Sequence, residues 1–124
     1  MRGRMCLLTA VAASATACGV PQDVAKQAEQ VASIAAEGSL LARDVRQGDT
    51  TATFVRVHAD ALQEKLAPLA DAVEQEQLAS VVRTVDEQLA ALEERTGDVS
   101  RAACIEQRLE DAAKRAEEIG KAAA

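Results

Sequence analysis

The sequence predicts an all-α fold, an antiparallel helical hairpin or bundle, on the basis of three observations. Apolar residues recur at alternating spacings of three and four, which is the period of one face of a helix. Of the 124 residues, 28 are alanine and one is aromatic, so the core must be thin and closely packed. Two similar segments that contain glycine, residues 46–49 and 95–98, are typical of joints between helices. These observations predict one helical domain over residues 23–121.

The first predicted helix ends at the joint around Gly48. Its apolar stripe consists of Val24, Ala28, Val31, Ala35, Gly38, Ala42 and Val45. Because most of these side chains are small, a second helix can approach the stripe closely. At the joint, Arg46 is predicted in the last helical turn, Gly48 at the left-handed position that follows, and Asp49 at the cap of the next helix.

The middle of the chain carries two apolar stripes that are out of phase with each other. The first contains Val55, Leu62, Leu66, Leu69 and Val73, and the second contains Leu78, Val82, Val85, Leu89 and Leu92. Two architectures fit: three long helices with the middle one kinked near Pro68, or four shorter helices with a break within residues 67–77. Because no Gly, Asn or Ser marks a turn between Gln63 and Gln77, we favour the three-helix arrangement.

The last predicted helix begins after the second joint, where Gly97 is expected at the left-handed position and Asp98 at the cap. Its apolar stripe consists of Ala102, Ile105, Leu109, Ala112, Ala116 and Ile119. The stripe repeats the spacing of the first helix, so the two helices are both expected to contribute to one core.

His58 is the only histidine in the chain, and the sequence favours a structural role for it. Counting ten residues either way from Gly48 places Gly38 opposite His58 in a hairpin, where the missing side chain would make room for the imidazole. Glu37 would then lie beside the ring, which predicts a His58–Glu37 hydrogen bond or ion pair. One histidine without a second ligand one turn away is a poor metal or haem site.

The residue inventory predicts neither an enzyme nor a cofactor. The sequence has no glycine-rich phosphate loop, no paired metal-ligand motif and no recognisable arrangement of nucleophile and base. A net charge of −6 at pH 7 and a single aromatic ring argue against nucleic acid as a partner.

The N-terminus has the three parts of an export signal. Arg2 and Arg4 precede an uncharged stretch over residues 5–20, which is shorter than the roughly 20 apolar residues of a permanent membrane span. Small residues then precede a cysteine in Ala15-Thr16-Ala17-Cys18. This tetrapeptide resembles the lipobox of bacterial lipoproteins, in which the signal is cleaved before the cysteine and the thiol is acylated.

The resemblance covers the first 18 residues and implies the location of the rest. Residues 1–17 would be the signal peptide, Cys18 the acylated residue, and residues 18–22 a short linker to the domain. The mature domain would lie at the outer face of the bacterial cytoplasmic membrane, held there by its acyl chains. It would then serve as a non-catalytic helical module that binds a protein partner or forms a homodimer. The alternative is a secreted helical carrier of a small apolar ligand or lipid, without acylation.

The same interpretation predicts the fate of the three cysteines. Cys6 would be lost with the signal, which leaves Cys18 and Cys104. If Cys18 is acylated, Cys104 is a free thiol in an oxidising compartment, where burial in a helix interface would protect it. If Cys18 is not acylated, a Cys18–Cys104 disulfide becomes available.

Overall fold

A computed structural model shows four helices that form an up-down-up-down bundle. They are α1 (Ala13–Gln47), α2 (Ala52–Ala72), α3 (Glu76–Glu94) and α4 (Val99–Ala123). The structure describes the backbone of residues 13–94 and 96–124, and side chains from Val24 onward except that of residue 95. Within that part there is no strand, so the predicted all-α class is confirmed. The predicted signal peptide lies largely, and the Cys18 side chain entirely, outside the described part.

The predicted apolar stripes form the core. All of the large apolar residues in the two middle stripes are buried, and the stripes of α1 and α4 are buried apart from Val24 and Ile119, which are half-buried. Helix α1 packs more closely on α4 than on α2 or α3. A Cβ atom on Gly120 would lie 3.2 Å from the Cβ of Ala28, which shows how closely small residues allow α1 and α4 to approach.

The chain breaks between α2 and α3, so the favoured three-helix arrangement is wrong and the four-helix alternative is correct. Val73 adopts an extended backbone and its N–H donates to the carbonyl of Leu69. The side chain of Gln75 then accepts a hydrogen bond of 2.6 Å from the N–H of Leu78 and so caps α3. Pro68 lies inside α2 and does not end it.

The two joints differ, although their sequences are alike. Gly48 has φ of 74°, its N–H donates to the carbonyl of Val45, and the N–H of Asp49 donates to that of Asp44. This is a Schellman motif, as predicted for Gly48. Asp49 is not the cap of α2, because that position is taken by Thr51, whose hydroxyl accepts from the N–H of Phe54.

At the second joint, Gly97 does not adopt the predicted left-handed conformation. Among the described glycines, Gly48 alone has positive φ. Asp98 does cap α4 by accepting from the N–H of Arg101 at 3.0 Å, as predicted. The two joints therefore place different demands on their glycines.

Replacing each glycine by alanine should show that Gly48 needs a left-handed backbone and that Gly97 does not. We expect Gly48→Ala to lower the free energy of unfolding by about 1 kcal/mol, because an alanine in the left-handed region is strained. Gly97→Ala should change it by less than about 0.5 kcal/mol, because no atom lies within 4 Å of the added Cβ and φ is not positive. Urea unfolding of both variants measures the difference, and equal losses would contradict the assignment.

Candidate interaction face between α1 and α2

An open groove of about 570 Å³ lies between α1 and α2. Its floor is apolar and includes Ile34, Leu69 and Pro68. Polar residues from both helices form its rim: Lys26, Gln27, Gln30, Ser33, Glu37 and Lys65. The groove opens where α1 is packed mainly on α4, so that α2 covers one side of α1 only in part.

Two contacts show the register of α1 against α2. The ammonium of Lys65 lies 3.9 Å from a carboxylate oxygen of Glu37, and the side-chain amide of Gln27 donates to the carbonyl of Ala72 at 3.5 Å. The midpoint in the sequence between the two residues of each pair lies close to Thr50, about two residues beyond Gly48. The loop before the Thr51 cap therefore shifts the hairpin from the register that symmetry about Gly48 predicts.

This shift removes the predicted His58–Glu37 pair. Among the described residues no hydrogen bond or ion pair joins them: Glu37 lies beside Lys65, and the exposed His58 ring stacks on Phe54 with centroids 5.3 Å apart. Gly38 does not make room for His58 either. It faces the core, where an added Cβ would lie 3.0 Å from methyl groups of both Leu89 and Leu109.

Large apolar side chains extend the groove toward the α1–α2 loop. Phe54 and Leu40 are each 52% exposed, and Val57 is 65% exposed. On α2, Phe54 lies two steps of seven residues before the groove residue Pro68. On α1, Leu40 lies two steps of seven residues after the groove residue Lys26. Residues seven apart lie on nearly the same side of a helix. We call this surface, the groove together with Leu40, Phe54 and Val57, the α1–α2 face.

A second cluster joins α1 to α4 near the other side of the bundle. Glu106 is only 8% exposed, and its carboxylate accepts from the Nε atoms of Arg46 at 2.7 Å and Arg43 at 3.1 Å. The hydrogen bond from Arg46 is the largest influence and holds the pKa of Glu106 below its usual range, with burial opposing it. The cluster therefore holds α1 and α4 in register.

Replacing Glu106 by glutamine tests this cluster. We expect Glu106→Gln to lower the free energy of unfolding by about 1–2 kcal/mol at pH 7, a figure kept small because both arginines are partly exposed. Because the folded-state pKa is depressed, the contribution is present above the ordinary glutamate pKa of about 4.3 and is lost as the pH falls through the lower folded value. The wild-type and variant stabilities should therefore converge in acid.

Urea unfolding between pH 7 and pH 3 provides the measurement, with Glu118→Gln, an exposed position on α4, as the matched control. A difference between wild type and Glu106→Gln that stays constant down to pH 3 would show that the carboxylate charge is not what stabilises the fold.

Cys104 is exposed, contrary to the expectation that it would be protected in a helix interface. It lies two residues from Glu106, which contacts Arg43 in α1. Cys18 itself lies in α1, 25 residues before Arg43, which is about 37 Å along the helix axis. A disulfide requires the two Cα atoms to lie within about 7 Å, so Cys18 cannot reach Cys104 in the same chain of this fold.

The described residues include no group of three or more His, Cys, Asp or Glu side chains that could hold a metal ion. None of the described helices is long and apolar enough to cross a membrane. No family model matches the chain, and comparison with curated proteins and with solved structures gives no match.

The sequence interpretation missed both the α1–α2 face and the Glu106 cluster. For the face, a signal was present in Leu40, Phe54 and Val57, which are large and apolar but lie outside the predicted stripes. For the cluster, the signal was an acid at position 106 between stripe residues of α4. Its arginine partners lie on another helix.

Proposed function

We propose that the protein is a lipid-anchored, extracytoplasmic helical module that binds a partner protein through the α1–α2 face and catalyses no reaction. The N-terminal lipobox resemblance supports the anchor at Cys18. The exposure of the large apolar residues Leu40, Phe54 and Val57, which the helical period places on the groove side of α1 and α2, carries the binding role. Contiguous exposed apolar side chains with a polar rim are typical of protein contact sites.

The length of the face favours a protein over a small ligand. From Phe54 to Pro68 the exposed row covers 14 residues of α2, which is about 21 Å of helix. A small apolar molecule would fill the groove and leave Phe54 and Val57 exposed. A helix laid along the face would cover both parts.

The groove itself favours a second candidate, a carrier of a small apolar ligand or lipid. Its volume of about 570 Å³ lies within the range of small-molecule sites, and its floor is apolar. Organic extraction of the purified protein followed by mass spectrometry distinguishes the two. A stoichiometric amphiphile other than the Cys18 acyl chains would favour the carrier.

Acylation accounts for Cys18 better than a disulfide does. An intrachain bond to Cys104 is beyond reach in this fold, and the lipobox resemblance favours thioether formation at Cys18 over a plain thiol. The mature chain would carry 12 basic and 20 acidic residues, so anionic headgroups would repel it. Acyl chains would then supply the membrane affinity.

Intact mass spectrometry of the protein from its native membrane tests the anchor. We expect cleavage after Ala17 and a diacylglyceryl adduct on Cys18, and we expect Cys18→Ser to lose the adduct and the membrane association. An unmodified Cys18 thiol, or the uncut chain in the cytosol, would overturn the anchor.

The binding role is tested by two matched substitutions of exposed valines. Val57→Glu places a charge on the α1–α2 face, and Val99→Glu places one at the start of α4, where valine is 52% exposed. Mild chemical cross-linking in membranes should trap the wild type and Val99→Glu in a product larger than one chain, and Val57→Glu largely as a single chain. A wild type that is found only as a single chain would refute the proposal.

A further inference from the structure

We infer that the partner on the α1–α2 face is a second copy of this chain, related to the first by a two-fold axis parallel to the helices. This inference rests on the proposed role of the face. It follows from the charges on the face and from the register of α1 against α2.

The register assigns each position of α1 a counterpart at the same height on α2. Glu37 is level with Lys65, from the 3.9 Å contact, and Gln27 is level with Ala72, from the 3.5 Å hydrogen bond. One turn toward the loop from the first pair, Leu40 is level with Ala61. Beyond the second pair, Lys26 is level with the α2–α3 turn, where Glu74 is exposed.

A two-fold axis parallel to the helices places α1 of one copy against α2 of the other. Each residue keeps its position along the axis. Every level pair within one chain is then repeated between the chains. Glu37 faces the partner's Lys65, and Lys26 faces the acidic turn at Glu74. Leu40 packs over Ala61 and beside Val57. The face is thus complementary to itself in charge and in apolar contact, which is what an isologous interface requires.

The Glu37–Lys65 pair within the chain leaves room for such contacts. At 3.9 Å it is a loose ion pair, and the two side chains remain 43% and 62% exposed. Each group can therefore pair with its counterpart across the interface while staying close to its own. Glu37 and Lys65 would form a four-charge network with alternating signs at the centre of the dimer.

Other placements of the second copy fit less well. A two-fold axis perpendicular to the helices would lay α2 antiparallel on itself. With that axis at the height of the groove, Lys65 would lie close to Lys65 of the other copy, which is unfavourable. The parallel axis also leaves both α1 N-termini at one end. Two anchored chains could then share one membrane, and tethering would raise their local concentration.

Disulfide trapping between differently tagged chains tests the arrangement. One chain carries Leu40→Cys and the other Ala61→Cys, both with Cys104→Ser and with Cys18 retained, and they are produced together in the native membrane. We expect a mixed disulfide that contains both tags. Val99→Cys paired with Ala61→Cys is the control and should give at least about fivefold less, because Val99 lies on another helix away from the face. Equal yields from the two pairs would overturn the inference.

A charge exchange tests the role of the central pair. In the trapping background, Lys65→Glu should reduce the mixed disulfide about fivefold, because it places like charges opposite each other. Combining it with Glu37→Lys should restore the yield, whereas Lys114→Glu, an exposed position on α4, should have no effect. Thermal unfolding should be nearly the same for all these variants. No loss with Lys65→Glu, or no recovery in the double variant, would refute the pairing.

The outcomes separate this inference from the proposed function. If Val57→Glu reduces the cross-linked product but Leu40→Cys and Ala61→Cys give no mixed disulfide, the face binds a different protein and the inference falls alone. If Val57→Glu has no effect, the proposed binding role falls with it.

Discussion

Leu109→Ala is expected to lower the free energy of unfolding by about 3 kcal/mol, the largest effect of any single substitution considered for this domain. Leu109 is fully buried, and its methyl groups lie where a Cβ on Gly38 would touch them. Alanine would leave a cavity between α1, α3 and α4. Interior side chains are closely packed, so the surroundings of such a cavity relax only in part. Because small domains have a total stability of about 5–15 kcal/mol, the loss is a large fraction.

Thermal unfolding measures the effect, and the melting temperature should fall by roughly 15 °C. Val99→Ala is the control, because it also truncates an apolar side chain, at a position that is 52% exposed and lies outside the α1–α2 face. It should change stability by less than about 0.5 kcal/mol. Similar losses at the two positions would mean that the centre of the core is not where α1, α3 and α4 meet.

Gly38→Val is expected to destabilise the domain by about 2 kcal/mol. The first added carbon would already lie 3.0 Å from methyl groups of Leu89 and Leu109, and both leucines are fully buried. The two further methyl groups of valine therefore force α1 away from the core. The better helix propensity of valine offsets a few tenths of a kcal/mol of this cost.

Urea unfolding checks this effect against Ala36→Val, which introduces valine at an exposed position of the same helix outside the α1–α2 face. Combining Gly38→Val with Leu109→Ala should cost less than the two separate losses together, because the valine fills part of the cavity. Strict additivity of the two losses would contradict direct contact between the positions.

Helix faces were predictable from the sequence, whereas one helix end was not. The spacing of apolar residues depends only on the helical period, and the predicted stripes are the core of the structure. The break at residues 73–75 lacks the usual turn residues, and Gln75 supplies the cap instead. The five-residue step from Val73 to Leu78 was the signal of the break, because one continuous helix cannot keep both stripes on one core.

Contacts between helices were harder to predict because they depend on loop geometry. The predicted His58–Glu37 pair required the hairpin to be centred on Gly48, and the loop that leads to Thr51 moves the centre close to Thr50. The Glu106 cluster requires the register of α1 against α4, which no local pattern contains. The groove depends on the unequal packing of α2 and α4 on α1, which is likewise a property of the whole bundle.

The up-down-up-down order also determines where a label can be attached. Ala25, near the first α1 side chains that the structure describes, and Ala124, which follows α4, line the same shallow pocket. With an anchor at Cys18, an epitope or fluorescent protein fused after Ala124 would be pressed toward the lipid headgroups. An insertion at Thr50, at the opposite end of the bundle, would extend into the surrounding medium, so surface exposure is best assayed from that loop.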